Sequence, residues 1–103
     1  MSKFTLHIPC KKYVDGQLLD NGYKKCIDSI AQKLADIGVY GCYILEAQGY
    51  YKGRDYDEKL MVVFHSGDEV ADAFRQTCRE LDKELGQEVY AYEKDNELVV
   101  FGV

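Results

Sequence analysis

Five consecutive large apolar residues, Leu60-Met61-Val62-Val63-Phe64, constrain this chain more than any other feature. Successive side chains of a strand point to opposite faces of its sheet, so an unbroken apolar run demands cover on both faces. The strand that carries it belongs in the middle of a sheet, and the segments around it must supply helices or a partner for each side.

Those segments read clearly. Phe4, Leu6, Ile8 and Cys10 alternate with Thr5, His7 and Pro9, the period-two pattern of a strand with one face in a core. Pro9 stands at its end, where the missing N–H is tolerated. A loop containing Asp15-Gly16 follows, and Asp20 or Asn21 is placed to cap a helix. Between Gly22 and Ile37, the residues Tyr23, Cys26, Ile27, Ile30, Ala31, Leu34 and Ile37 recur at helical steps, with Gly38 at the expected left-handed stop.

Tyr40 to Gln48 reads as a second strand and Glu58 to His65 as a third, joined by a long hairpin loop through Gly49 and Gly53. Ser66-Gly67-Asp68-Glu69 fits a serine-x-x-glutamate capping box. It opens a second helix whose buried stripe is Val70, Ala73, Phe74, Thr77, Cys78, Leu81 and Leu85, and Gly86 ends it. Glu88 to Tyr92 and Leu98 to Phe101 are strand-like pieces around the turn cluster Lys94-Asp95-Asn96, either one hairpin or one bent strand with an edge piece.

The order is strand, helix, strand, strand, helix, strand. It predicts an α+β, ferredoxin-like βαββαβ sandwich over residues 1–103, one domain with an antiparallel sheet, two helices on one face and a short extra C-terminal strand. The other face is then open. Either Leu60, Val62 and Phe64 or Met61, Val63 and His65 lie there, and Met61, Val63 and His65, with Thr5 and His7, are the candidate open-face residues. A mixed apolar and aromatic surface of that kind marks an interface or a ligand floor.

From Tyr40 to Phe101 the chain also resembles the family of uncharacterised bacterial proteins called DUF3574. The strand Tyr43-Ile44-Leu45-Glu46-Ala47-Gln48-Gly49, the aromatic-basic stretch Tyr50-Tyr51-Lys52-Gly53, the apolar strand, the capped helix and Leu85-Gly86-Gln87-Glu88 carry the resemblance. It implies the same fold and assigns no catalytic residue.

Charge narrows the partners. The formal charge is −5, so the mean field repels phosphate backbones and anionic membranes, and direct nucleic-acid or membrane binding is not expected. Cys10, Cys26, Cys42 and Cys78 lack ligand spacing and read as buried free thiols, so neither a metal nor a cofactor is expected. The N-terminus lacks the apolar core of a signal peptide, which makes the cytoplasm the expected location.

Two groups of residues are candidate sites. Tyr50, Tyr51, Lys52, Arg54 and Tyr56 set aromatic faces beside cations in the hairpin loop, an arrangement that anchors a protein or stacks a base. Thr5 and His7, with Met61, Val63 and His65, form the open sheet face. No nucleophile–base constellation is present, so the expected function is a non-enzymatic protein-binding module. Such a module regulates or inhibits a macromolecular partner, as a phage-type counter-defence factor does, and forms a homodimer. The alternative is a small-molecule or nucleotide binder, or a cofactor-free enzyme of dimeric α/β barrel type.

Overall fold

The structure, a computed structural model, describes residues 1–103 apart from the side chain of Tyr51. Its main sheet has five antiparallel strands in the order β4-β5-β1-β6-β7. These are β1 (Ser2–Pro9), β4 (Tyr43–Tyr51), β5 (Arg54–His65), β6 (Tyr90–Lys94) and β7 (Glu97–Phe101). A separate hairpin, β2 (Lys11–Val14) with β3 (Gln17–Asp20), stands between β1 and the first helix. The helices are α1 (Tyr23–Asp36), α2 (Glu69–Glu80) and the single turn α3 (Asp82–Leu85). No helix among the described residues is long and apolar enough to cross a membrane.

Three of the chain reversals share one device. Asp15-Gly16, Lys52-Gly53 and Asp95-Asn96 each have positive φ at both positions, the geometry of two-residue type I′ hairpin turns. Because Lys52-Gly53 turns so tightly, the expected long loop is absent and strands β4 and β5 run right up to it. The C-terminal ambiguity resolves the same way, as a hairpin. The stretch read as a plain loop around Asp15-Gly16 is a third hairpin, whose four-residue strands are too short and too polar to show a period.

Helix ends depart from expectation at two sites, the start of α2 and Leu81, where the single helix expected to run to Gly86 divides into α2 and α3. At Gly38 (φ +85°), the Gly38 N–H donates to Ala35 and the Val39 N–H to Leu34, the paired bonds of a Schellman stop. Asn21 Oδ1 accepts the Tyr23 N–H at 3.0 Å. The Ser66 capping box does not form. Gly67 turns the chain at φ +95°, helix α2 begins only at Glu69, and that carboxylate reaches back to His65 at 3.4 Å.

Register decides which face is core. Phe4 pairs with Val63 and Leu6 with Met61, so these four share a face, and all are buried beneath Ile30 and Leu34 of α1 and Phe74 of α2. Thr5 pairs with Val62 and His7 with Leu60, which puts Leu60, Val62 and Phe64 on the opposite face. The expectation that Met61 and Val63 are open is therefore corrected: they are 1% and 0% exposed. His65 shares their side of the strand, at its end, and turns to Glu69. An apolar run offers no alternation to read, so only pairing with β1 fixes its sides.

Candidate functional site

The open face has an acidic centre. His7 stands in the middle of the sheet between two carboxylates, with Glu58 Oε1 3.1 Å from its Nδ1 and Glu93 Oε2 2.7 Å from its Nε2. Both ring nitrogens face acceptors, so both must donate, and the ring is held as imidazolium. The Glu58 hydrogen bond, with Glu93 adding to it, raises the His7 pKa against the opposing pull of burial. One cation between two anions leaves the cluster net negative. Because each nitrogen already has its own carboxylate, the cluster is a hydrogen-bonded triad, and no group of three metal-ligating side chains is found among the described residues.

Beside this triad lies a cleft of about 720 Å³, within the range of small-molecule sites. Its floor is His7, Glu58, Ala91 and Val100. The β2–β3 hairpin forms one wall through Lys11, Lys12, Tyr13 and Leu18, and the end of the β4–β5 hairpin forms another through Lys52, Arg54 and Tyr56. The loop Gly86–Tyr90 closes the third side.

Polar side chains fix these walls in place. Asn21 Nδ2 donates to the Pro9 and Leu85 carbonyls at 2.9 and 3.1 Å, and Gln87 Nε2 donates to those of Lys11 and Leu85 at 2.7 and 2.8 Å. The Arg54 guanidinium stacks 5.2 Å from the centre of the Tyr13 ring, which joins the two hairpins across the cleft. Tyr56 lies flat over Gly49, where a Cβ would come within 2.6 Å of the ring. Gly49 thus makes room for the aromatic wall, and burial pushes the Tyr56 phenol upward in pKa, with the Glu58 charge reinforcing it.

The structure brings together two candidate groups that the sequence kept apart. His7 from the open face and Lys52, Arg54 and Tyr56 from the tyrosine-rich hairpin line one cleft. Tyr50 points away and is largely exposed, and the Tyr51 side chain lies outside the described residues. Thr5 is on the same face, paired with Val62 and Glu93, while Met61, Val63 and His65 are not part of the site.

Sequence reasoning missed Glu58, Glu93 and the whole Lys11–Tyr13 wall. The carboxylates lie 51 and 86 residues from His7, so only strand pairing reveals them. The hairpin wall did leave a trace, since Asp-Gly between Tyr13-Val14 and Leu18-Leu19 is a hairpin signal. Arg75 of α2 lies outside the cleft, where it donates to the Tyr92 hydroxyl at 2.7 Å and stacks on the Tyr92 ring.

No family model and no curated protein matches this chain. Among solved structures, it is similar to a phage SAM lyase in its apo state, with a TM-score of 0.62 and 11% identity over 99% of this chain and 89% of that one. It is likewise similar to a phage SAM lyase in complex with S-methyl-5'-thioadenosine, with a TM-score of 0.61 and 10% identity over the same shares. At such identity the likeness is one of fold. It nonetheless overturns the expectation of a non-enzymatic protein-binding regulator or inhibitor, because the neighbours that share this architecture end to end are lyases, one of them holding a small molecule.

Proposed function

We propose that the cleft is a small-molecule site for an adenine nucleoside with sulfur at its 5' carbon, of the S-adenosylmethionine and S-methyl-5'-thioadenosine kind. The observation that carries this reading is the cleft itself: about 720 Å³, floored by His7 and Glu58 of the net-negative triad and walled by tyrosines. It occurs in a fold similar over 99% of the chain to a SAM lyase holding the thioether. A sulfonium is a cation that carboxylates and aromatic faces attract. Tyr13 and Tyr56 offer π faces on which a purine stacks.

Lyase chemistry suits such a floor. When the bond from a sulfonium to a carbon chain breaks, the electron pair stays on sulfur and the thioether leaves neutral, so no proton donor is required. In an elimination the carbon next to the one that carries sulfur loses a proton and its C–H pair becomes the new C=C bond as the C–S bond breaks; Glu58, its side chain 10% exposed and hydrogen-bonded to His7, is the proton acceptor the cleft offers. Calorimetric titration with S-adenosylmethionine and S-methyl-5'-thioadenosine tests binding, and chromatography of a prolonged incubation with S-adenosylmethionine tests cleavage. Micromolar binding of either compound, weakened at least tenfold by Tyr56→Ala, is the expected result, and its absence for both sinks the reading.

The sheet order also supports assignment to the ferredoxin-like architecture, with β4, β5, β1 and β6 as its four strands and β7 as an added edge. The rest of the open face favours a second copy as its cover. Tyr43, Leu45, Phe64 and Leu98 are between 48% and 62% exposed on one side of one sheet, an unusual apolar concentration for a lone domain. Light scattering on eluting protein that gives the monomer mass at micromolar concentration removes the homodimer.

A further inference from the structure

We propose that Lys12 and Arg54 form an anion subsite at the mouth of the cleft, which selects ligands carrying a carboxylate on the chain attached to sulfur. The inference rests on the small-molecule reading above and adds to it the part of the ligand that is discriminated.

The argument begins with the charges around the cleft. The chain is net −5, yet four cations converge on this one opening: Lys11, Lys12, Lys52 and Arg54. Two of them have a carboxylate beside them, Lys11 with Asp20 and Lys52 with Glu88 at 3.2 Å. Of the acids at the cleft, Glu58 is paired with His7, while Asp55 accepts a hydrogen bond from the neutral Gln48 amide at 3.0 Å and keeps its charge, one anion against the four cations. Lys12 and Arg54 have no carboxylate within ion-pair distance among the described residues; Glu84 senses the Lys12 charge from farther off, and the two cations remain without a paired anion at the cleft wall.

Both side chains are also held where a ligand would meet them. The Lys12 stem lies against Gly86, where a Cβ would come within 2.9 Å of it, and this packing restrains the alkyl chain. The Arg54 guanidinium lies on the Tyr13 ring, which restricts its plane while leaving its N–H fork available. A planar fork with a neighbouring ammonium matches a carboxylate, and pre-ordering lowers the entropy cost of binding it. The cleft is therefore bipolar. Its floor carries the Glu58 carboxylate, with Glu93 beyond it on the other nitrogen of His7, which suits a cationic centre, and its hairpin wall suits an anion. A ligand with both charges, such as a sulfonium bearing an amino-acid tail, complements it; a neutral thioether without the tail fills only the floor.

The test compares three compounds on the intact protein by calorimetry: S-adenosylmethionine, its decarboxylated analogue, which keeps the sulfonium and the amine, and S-methyl-5'-thioadenosine. The wild type is expected to bind S-adenosylmethionine about tenfold more tightly than the decarboxylated analogue, the strength of a charge-assisted contact. The double variant Lys12→Gln/Arg54→Gln is expected to erase that tenfold difference, S-adenosylmethionine losing more affinity than either of the other two compounds. Lys24→Gln, on α1, leaves all three unchanged, so a general charge effect is separated from a local one. Equal wild-type affinity for the first two compounds, or a variant that weakens all three alike, overturns the anion subsite while the nucleoside reading stands. Failure of every compound to bind overturns both.

Discussion

The two faces of the sheet are made from alternate residues of the same strands, yet they have opposite surroundings. On one side Phe4, Leu6, Ile8, Met61 and Val63 lie against both long helices and are fully shielded. On the other, His7, Glu58 and Glu93 stand among Leu60, Phe64, Leu98 and Val100 with no helix above them. The helix face is apolar because it must be dry. The open face combines apolar and ionised groups, which a core does not tolerate and a ligand floor requires. Folding thus depends on one set of residues and any chemistry on their immediate neighbours.

Substitutions on the helix face are expected to have the largest effect. Phe74 is fully buried and meets Tyr92 and Phe101 edge-on, with ring centroids at 6.3 and 5.6 Å. Phe74→Ala removes those contacts and leaves a cavity between helix and sheet, at a cost of about 3–5 kcal/mol. Urea unfolding followed by circular dichroism measures it, and a loss below about 1 kcal/mol shows that α2 is not a principal wall of the core.

The legibility of the sequence follows the same division. The amphipathic helix α1 and the alternating strand β1 were readable because each has one face in water, and contrast between faces is what periodicity detects. Strand β5 was readable as a strand but not as to its sides, because its apolar run carries no contrast. Residues of the site were partly visible as types: His7, Arg54 and Tyr56 drew attention on their own. Their assembly was not visible, since the His7 carboxylates and the Lys11–Tyr13 wall come from segments that meet only through antiparallel pairing and the Asn21 and Gln87 side-chain bonds.

A substitution at the centre of the open face sharpens the contrast, because its effect depends on pH. His7 has a folded pKa raised above 6.5, chiefly by the Glu58 hydrogen bond. Its contribution to stability is therefore complete below about 6.5 and is lost as pH rises through the elevated value. His7→Gln is expected to cost about 1–2 kcal/mol at pH 6, an amount discounted for the water that reaches the ring, and progressively less on the alkaline side. Stability curves for the two proteins that stay parallel from pH 5 to pH 9 would show that His7 is not held as imidazolium.

A smaller effect is expected at the cleft wall. Gly49→Ala places a methyl group within 2.6 Å of the Tyr56 ring, which must swing aside. The ring is the free end of a side chain, so stability changes by about 1 kcal/mol or less. The aromatic wall is displaced all the same. The expected signature is a tyrosine near-ultraviolet dichroism changed out of proportion to the shift in the unfolding midpoint, and an unaltered spectrum would mean that Tyr56 does not lie over Gly49.

The smallest effect on the fold itself is expected where the open face is most apolar. Phe64 is 50% exposed and Leu98 62%, and neither belongs to the buried cluster under the helices. Phe64→Ser and Leu98→Ser are therefore expected to change the unfolding free energy of an isolated chain by no more than about 0.5 kcal/mol. If a second copy covers this face, the wild type behaves differently from the variants in one respect. Association stabilises the folded state by mass action, so the wild-type melting temperature rises with protein concentration and that of the variants does not. Melting curves over a hundredfold range of concentration make the distinction. Parallel behaviour of all three proteins would show that this half of the open face carries its apolar residues uncovered, and that the contrast between the faces comes from the His7 cleft alone.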